Sequence, residues 1–151
     1  MINILEYSDI TFPEDFLWGA STAGQQIEGN NNSFYDDKDI APKFAYGGVP
    51  YQMAGRACNS YEMYKEDIAL LKKMHLNSYR MSLEWSRIEP IEGQFNEKEI
   101  EHYKDVLKEL KKNGIKVCLT LHHNSHPIWF HKLGAFKTMD NLDYFLRYVD
   151  K

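Results

Sequence analysis

Two cysteines in 151 residues, Cys58 and Cys118, are too few for a disulfide framework. Each stands among core-like neighbours, so the expectation is two reduced, packed thiols of the kind a reducing cytoplasm maintains. Positive charge is scarce as well. The 18 basic residues face 22 acidic ones, leaving −4, and no basic run is longer than Lys72-Lys73 or Lys111-Lys112. That balance excludes nucleic acid from the expected partners. No apolar run approaches bilayer-spanning length, which excludes a membrane partner. Met1 to Glu6 has no basic n-region, no apolar h-region and no small-residue cleavage site. A soluble, unexported, cytoplasmic chain is expected.

What is present is 43% apolar residues, enough for one domain with its own core. Tyr61, Tyr64, Ile68, Leu71 and Met74 recur at spacings of three and four, predicting a helix over 60–75. A second helix should begin at Asn96, a good N-cap with Glu99 three residues on. It presents Ile100, Tyr103, Leu107 and Leu110 before Asn113-Gly114 stops it. A third begins near Asn141 with Leu142, Phe145, Leu146 and Val149 on one side.

Between the helices, Ser78 to Trp85 and Ile115 to His122 alternate as strands do, and Phe16 to Ala20 reads as an earlier strand. Strand followed by helix, three times over, predicts parallel α/β architecture. In the middle strand Tyr79, Met81, Leu83 and Trp85 share one face, while Arg80, Ser82 and Glu84 share the other. A buried strand of an open parallel sheet is normally apolar on both faces. A polar row suits a barrel strand whose carboxyl end opens into a polar site. An antiparallel sheet with one wet face is the alternative, opposed by the intervening helices. The long excursion from Ala41 to Gly55 reads either as a βα loop at a site or as a surface loop.

Four stretches then carry a resemblance. Phe12 to Ala23 with Gln26-Ile27-Glu28-Gly29, Tyr64 to Ile68, Asn77 to Ile88, and Thr120-Leu121-His122-His123 with Pro127 stand in the order and spacing of the family-1 glycoside hydrolases, which the chain closely resembles from residue 12 to 151. The resemblance implies the first three βα units of a (β/α)8 TIM barrel, incomplete here because closure takes roughly 250 residues. Residues 1–11 would be a tail. It also implies retaining hydrolysis of β-glycosides by two carboxyl groups about 5 Å apart. The family carries these in Thr-x-Asn-Glu-Pro and Glu-Asn-Gly motifs, and neither motif occurs in this sequence. An N-terminal fragment of a retaining β-glycosidase, inactive alone, is therefore expected.

By the same resemblance, Gln26 would bond sugar hydroxyls through an amide that both donates and accepts. His123 would be a second sugar contact, and Arg80 would support the missing nucleophile. Glu84, two pleats along, is an alternative partner for Arg80, and the pair Glu28 and Glu84 is the only tempting carboxylate couple. Trp18 and Trp85 read as packing residues, and Trp129 as a loop residue that could line the entrance. His122, His123, His126 and His131 lack a carboxylate or cysteine at ligand spacing, so no metal and no cofactor are expected. Three departures stand out: Asn124 where the family usually has an aromatic, Gln25 where it has Tyr, His or Asn, and Gly134-Ala135-Phe136 in place of Gly-Gly-Trp. Asn124 is thereby a candidate sugar contact of altered chemistry. Two non-catalytic readings compete: a carbohydrate-binding remnant that needs a partner chain with the remaining strands, and a domain whose open edges self-associate.

Overall fold

The computed structural model describes residues 11–44 and 51–151; the expected tail and part of the Ala41–Gly55 loop lie outside them. Three parallel strands, β1 (Gly19–Ser21), β2 (Ser78–Ser82) and β3 (Lys116–Thr120), lie side by side in chain order. Register pairs Gly19, Ala20 and Ser21 with Ser78, Tyr79 and Arg80, and Ser78 through Ser82 with Lys116 through Thr120. The parallel expectation holds, with no antiparallel neighbour around Tyr79.

The short helix α1 (Gly24–Ile27) follows β1, and α2 (Ser60–Lys73) leads into β2. After β2 come α3 (Trp85–Ile88) and α4 (Glu97–Lys112), and after β3 come α5 (Ile128–Lys132) and α6 (Leu142–Val149). The signals that build α4 are local. Asn96 accepts from the Lys98 amide at 3.1 Å, acidic Glu97 and Glu99 open the first turn, and Lys111 and Lys112 close the last, each charge opposing the helix dipole. Gly114 then turns left-handed at φ +71, where an L side chain would be strained. Glu99 does not complete a capping box; it accepts from Tyr61 Oη at 2.8 Å and ties α4 to α2.

The core gathers Ile68 and Leu71 of α2, Met81 of β2, Trp85 and Ile88 of α3, Val106 and Leu110 of α4, and Phe130 of α5. Several expectations need correction. Met74 is exposed, because α2 ends at Lys73 and the next residue leaves the buried stripe. β2 stops at Ser82, so Glu84 is the N-cap of α3 and Trp85 its first residue, and neither belongs to the strand. Trp85 is fully buried, but Trp18, just before β1 at the sheet edge, is half exposed against Phe12 and Phe16. Both cysteines are free and exposed instead of packed: Cys118 sits on the polar face of β3, and Cys58 in the turn before α2.

Candidate functional site

Because the three strands are parallel and in sequence order, their carboxyl ends open on one side, and the chain leaves each end through a loop or short helix. Arg80 projects from the polar face of β2 and bridges to the end of β3. Its Nε donates to Thr120 Oγ1 at 3.0 Å, and an Nη lies 3.1 Å from His123 Nδ1. A guanidinium can only donate, so Nδ1 accepts and the neutral His123 ring carries its hydrogen on Nε2. Glu84 is not Arg80's partner. Its carboxylate is fully buried and accepts from Ser86 Oγ at 2.9 Å and Ser125 Oγ at 2.7 Å, while its amide donates to Tyr103 Oη at 3.1 Å.

Gln26 stands exposed on α1, and its side chain has no hydrogen-bond partner among the described residues. The neighbouring Gln25 is buried and anchors the helix, its Nε2 donating to Asp36 Oδ2 at 2.9 Å. Asp36 also accepts from the amide and hydroxyl of Ser33. Ser33 forms an antiparallel bridge with Pro127, and the Phe34 amide donates to the His126 carbonyl at 3.1 Å. The loop after β1 is thus fastened to the loop after β3, which carries His123 and Asn124. Asn124 is exposed, with a left-handed φ of +64 that asparagine tolerates. Trp129 lies in α5 and not in a loop; its indole donates to the Glu89 carbonyl at 2.9 Å, and its ring meets Trp85 and Tyr144 edge-on.

Beneath these residues lies a layer the sequence did not disclose. Glu28 pairs with Arg87 at 2.8 Å and accepts from Tyr103 Oη at 2.9 Å. Burial pushes the Glu28 carboxyl up to about 7, against the pull of Arg87 and with help from Glu84. Burial likewise raises Glu84, opposed by its two serines. Glu89 is fully buried, accepts from Trp85 Nε1 at 2.9 Å and pairs with Arg147. Three carboxylates are therefore locked in bracing roles. His122, His126 and His131 form a row with ring nitrogens 3.4 and 3.3 Å apart, and Phe34 stacks on the latter two. Burial first, then His122 and His131, lowers His126 to about 3, so this row is neutral. No three of His, Cys, Asp and Glu converge in a metal-holding geometry among the described residues.

The sequence match settles where this geometry belongs. The model of Glycosyl hydrolase family 1 matches residues 8–151. The chain belongs to glycosyl hydrolase family 1. Beta-glucosidase A of Acetivibrio thermocellus is 39% identical over 147 residues, which are 95% of this chain and 33% of that protein. The 6-phospho-beta-glucosidase of Clostridium longisporum is 38% identical over 154 residues, with 93% and 32% coverage. Among solved structures, the beta-glycosidase from Pyrococcus horikoshii superposes with a TM-score of 0.80 at 37% identity, covering 92% of this chain and 32% of its own. This family 1 chain thus spans about a third of the length of the relatives it matches. Its sheet and helices are the first three βα units of the family's TIM barrel.

Proposed function

We propose that this family 1 chain is the N-terminal portion of a retaining β-glycosidase, that it supplies sugar-positioning groups, and that it does not hydrolyse glycosides by itself. The supporting observation is Arg80 held between Thr120 and His123, on the polar face at the strand ends that Gln26 and Asn124 also flank. Gln26 offers a free amide, and His123 offers an Nε2 hydrogen, to hydroxyls of a β-linked sugar. Arg80 would keep an incoming carboxylate ionised. Glu28, Glu84 and Glu89 cannot serve as the two reacting carboxyls, since each is buried and fully engaged in bracing. Trp129, whose indole nitrogen is committed to Glu89, is left with a packing role. No cofactor enters this chemistry. Free Cys58 and Cys118 fit a cytoplasmic protein.

The test is an aryl-β-glycoside panel, including glucoside, galactoside and their 6-phosphates, assayed on this chain and on a relative-length polypeptide that continues it. No turnover is expected from the short chain. Measurable turnover by it alone ends the assignment. A second reading, a non-catalytic remnant that binds carbohydrate or associates through its open edges, is favoured by exposed Phe12, Phe16, Leu17 and Trp18 beside β1 and by Leu119 on β3.

A further inference from the structure

We propose that the cavity on the helix side of β1 and β2 binds a small amphiphilic amine, a primary or quaternary ammonium carried on a single ring. This site lies on the face of β2 opposite the Arg80 side chain and does not rest on the glycosidase reading. The cavity measures about 260 Å³, with walls from β1, β2, α1, α2, α4 and the turn before α2. Voids of about 150 Å³ lined by aliphatic groups stay dry and accept benzene, so this one has room for a ring with a short chain.

Its lining combines two chemistries. Ile68, Leu71, Met81 and Val106, all buried, supply apolar wall suited to the ring. The rings of Tyr61, Tyr64 and Tyr79 and the Asp67 carboxylate line the same cavity. Asp67 Oδ2 accepts from Ser60 Oγ at 2.6 Å, and no Lys or Arg forms an ion pair with Asp67 among the described residues. The nearby cations are Arg87 and Lys65, and neither pairs with Asp67. Arg87 is paired with Glu28 and lies 4.2 Å from the Tyr61 ring centre, and Lys65 sits 5.7 Å from that of Tyr64. His102, the remaining titratable ring in the wall, is held neutral by burial and does not oppose a cation. The Tyr61 ring already carries His102, stacked at 3.8 Å, and Arg87, so an organic cation is selected by the Asp67 carboxylate, which no basic side chain pairs among the described residues, with Tyr64 and Tyr79 in the same wall. Asp67 also repels an anion of the same shape, and Arg87, already paired with Glu28, is not free to attract one.

Cys58 provides an internal readout, because it lines the cavity and is exposed, whereas Cys118 lies on the opposite face of the sheet. The experiment titrates the whole chain with phenethylamine, ethylbenzene and phenylacetate by calorimetry, alongside peptide-resolved alkylation of both cysteines by iodoacetamide. Phenethylamine should bind most tightly and slow alkylation of Cys58 but not of Cys118. Asp67→Asn should weaken the amine by roughly tenfold, the size of one partly desolvated cationic contact, and leave ethylbenzene unchanged. Leu71→Trp, which fills part of the cavity, should abolish binding of both. Equal binding of amine and hydrocarbon, no saturable binding, or an unprotected Cys58 overturns the proposal on the unmodified chain alone, whatever the variants do.

Discussion

His126 shows at one position how burial converts into pH dependence. Its ring sits between His122 and His131, stacked on Phe34, with its pKa lowered from 6.5 to about 3. The unfolded chain therefore takes up this proton first as pH falls. Stability from the site is complete above about 6.5 and is lost between 6.5 and 3, with a slope of at most about 1.4 kcal/mol per pH unit. Glu28 works in the opposite sense. Its carboxyl is raised from 4.5 to about 7, so its contribution is present below 4.5 and disappears as pH rises through 7. A His126→Leu variant separates the two: the difference between its urea stability and that of the parent should shift in the variant's favour as pH drops from 7 to 4. Parallel curves would show that the ring is not excluded from protonation. These residues also mark what the sequence could disclose. The motifs singled out Arg80 and His123, which the fold brings into contact, whereas the buried bond of Glu84 with Ser125, 41 positions on, follows only from the fold. The alternation that seemed to set Glu84 beside Arg80 failed because the chain turns after Ser82.

At the level of elements, the helices were read within a few residues of their true ends, since caps and apolar stripes are local signals. The strands were read too long, because apolar alternation continues into α3, where burial of Trp85 is satisfied by a helical turn. The weakest link in the sheet is β1, three residues long and held at its start by Asn77. Asn77 Oδ1 accepts from the Trp18 amide at 2.8 Å, and its Nδ2 donates to the Phe16 carbonyl at 2.9 Å. Gly19 permits the close approach that follows: a methyl there would lie 2.8 Å from the Ser78 carbonyl oxygen. Gly19→Ala should force β1 away from β2 and destabilise the chain by about 1–3 kcal/mol. Amide exchange should then accelerate over residues 19–21 more than over 116–120. Equal protection in both strands would mean that the sheet absorbs the methyl without parting.

For the molecule as a whole, the governing fact is a parallel sheet with two open edges. The outer sides of β1 and β3 have no neighbouring strand among the described residues, and apolar side chains flank both, Leu17 and Trp18 at 51% and 48% exposure on one side and Leu119 on the other. Such edges pair readily with other chains. Sedimentation should therefore show mass increasing with protein concentration, and addition of a polypeptide carrying the remaining barrel strands should suppress it. A single monomeric boundary at all concentrations would contradict this. Fold class was readable in the sequence because a strand-helix repeat is a pattern in the chain itself, but edge exposure depends on what lies beside the sheet. The order β1-β2-β3 has one more consequence, for synthesis. Every strand lies next to the one made just before it, and each crossing is closed by the helix between them. During synthesis each of these strands can thus find its register on an edge that is already formed, without waiting for a distant partner.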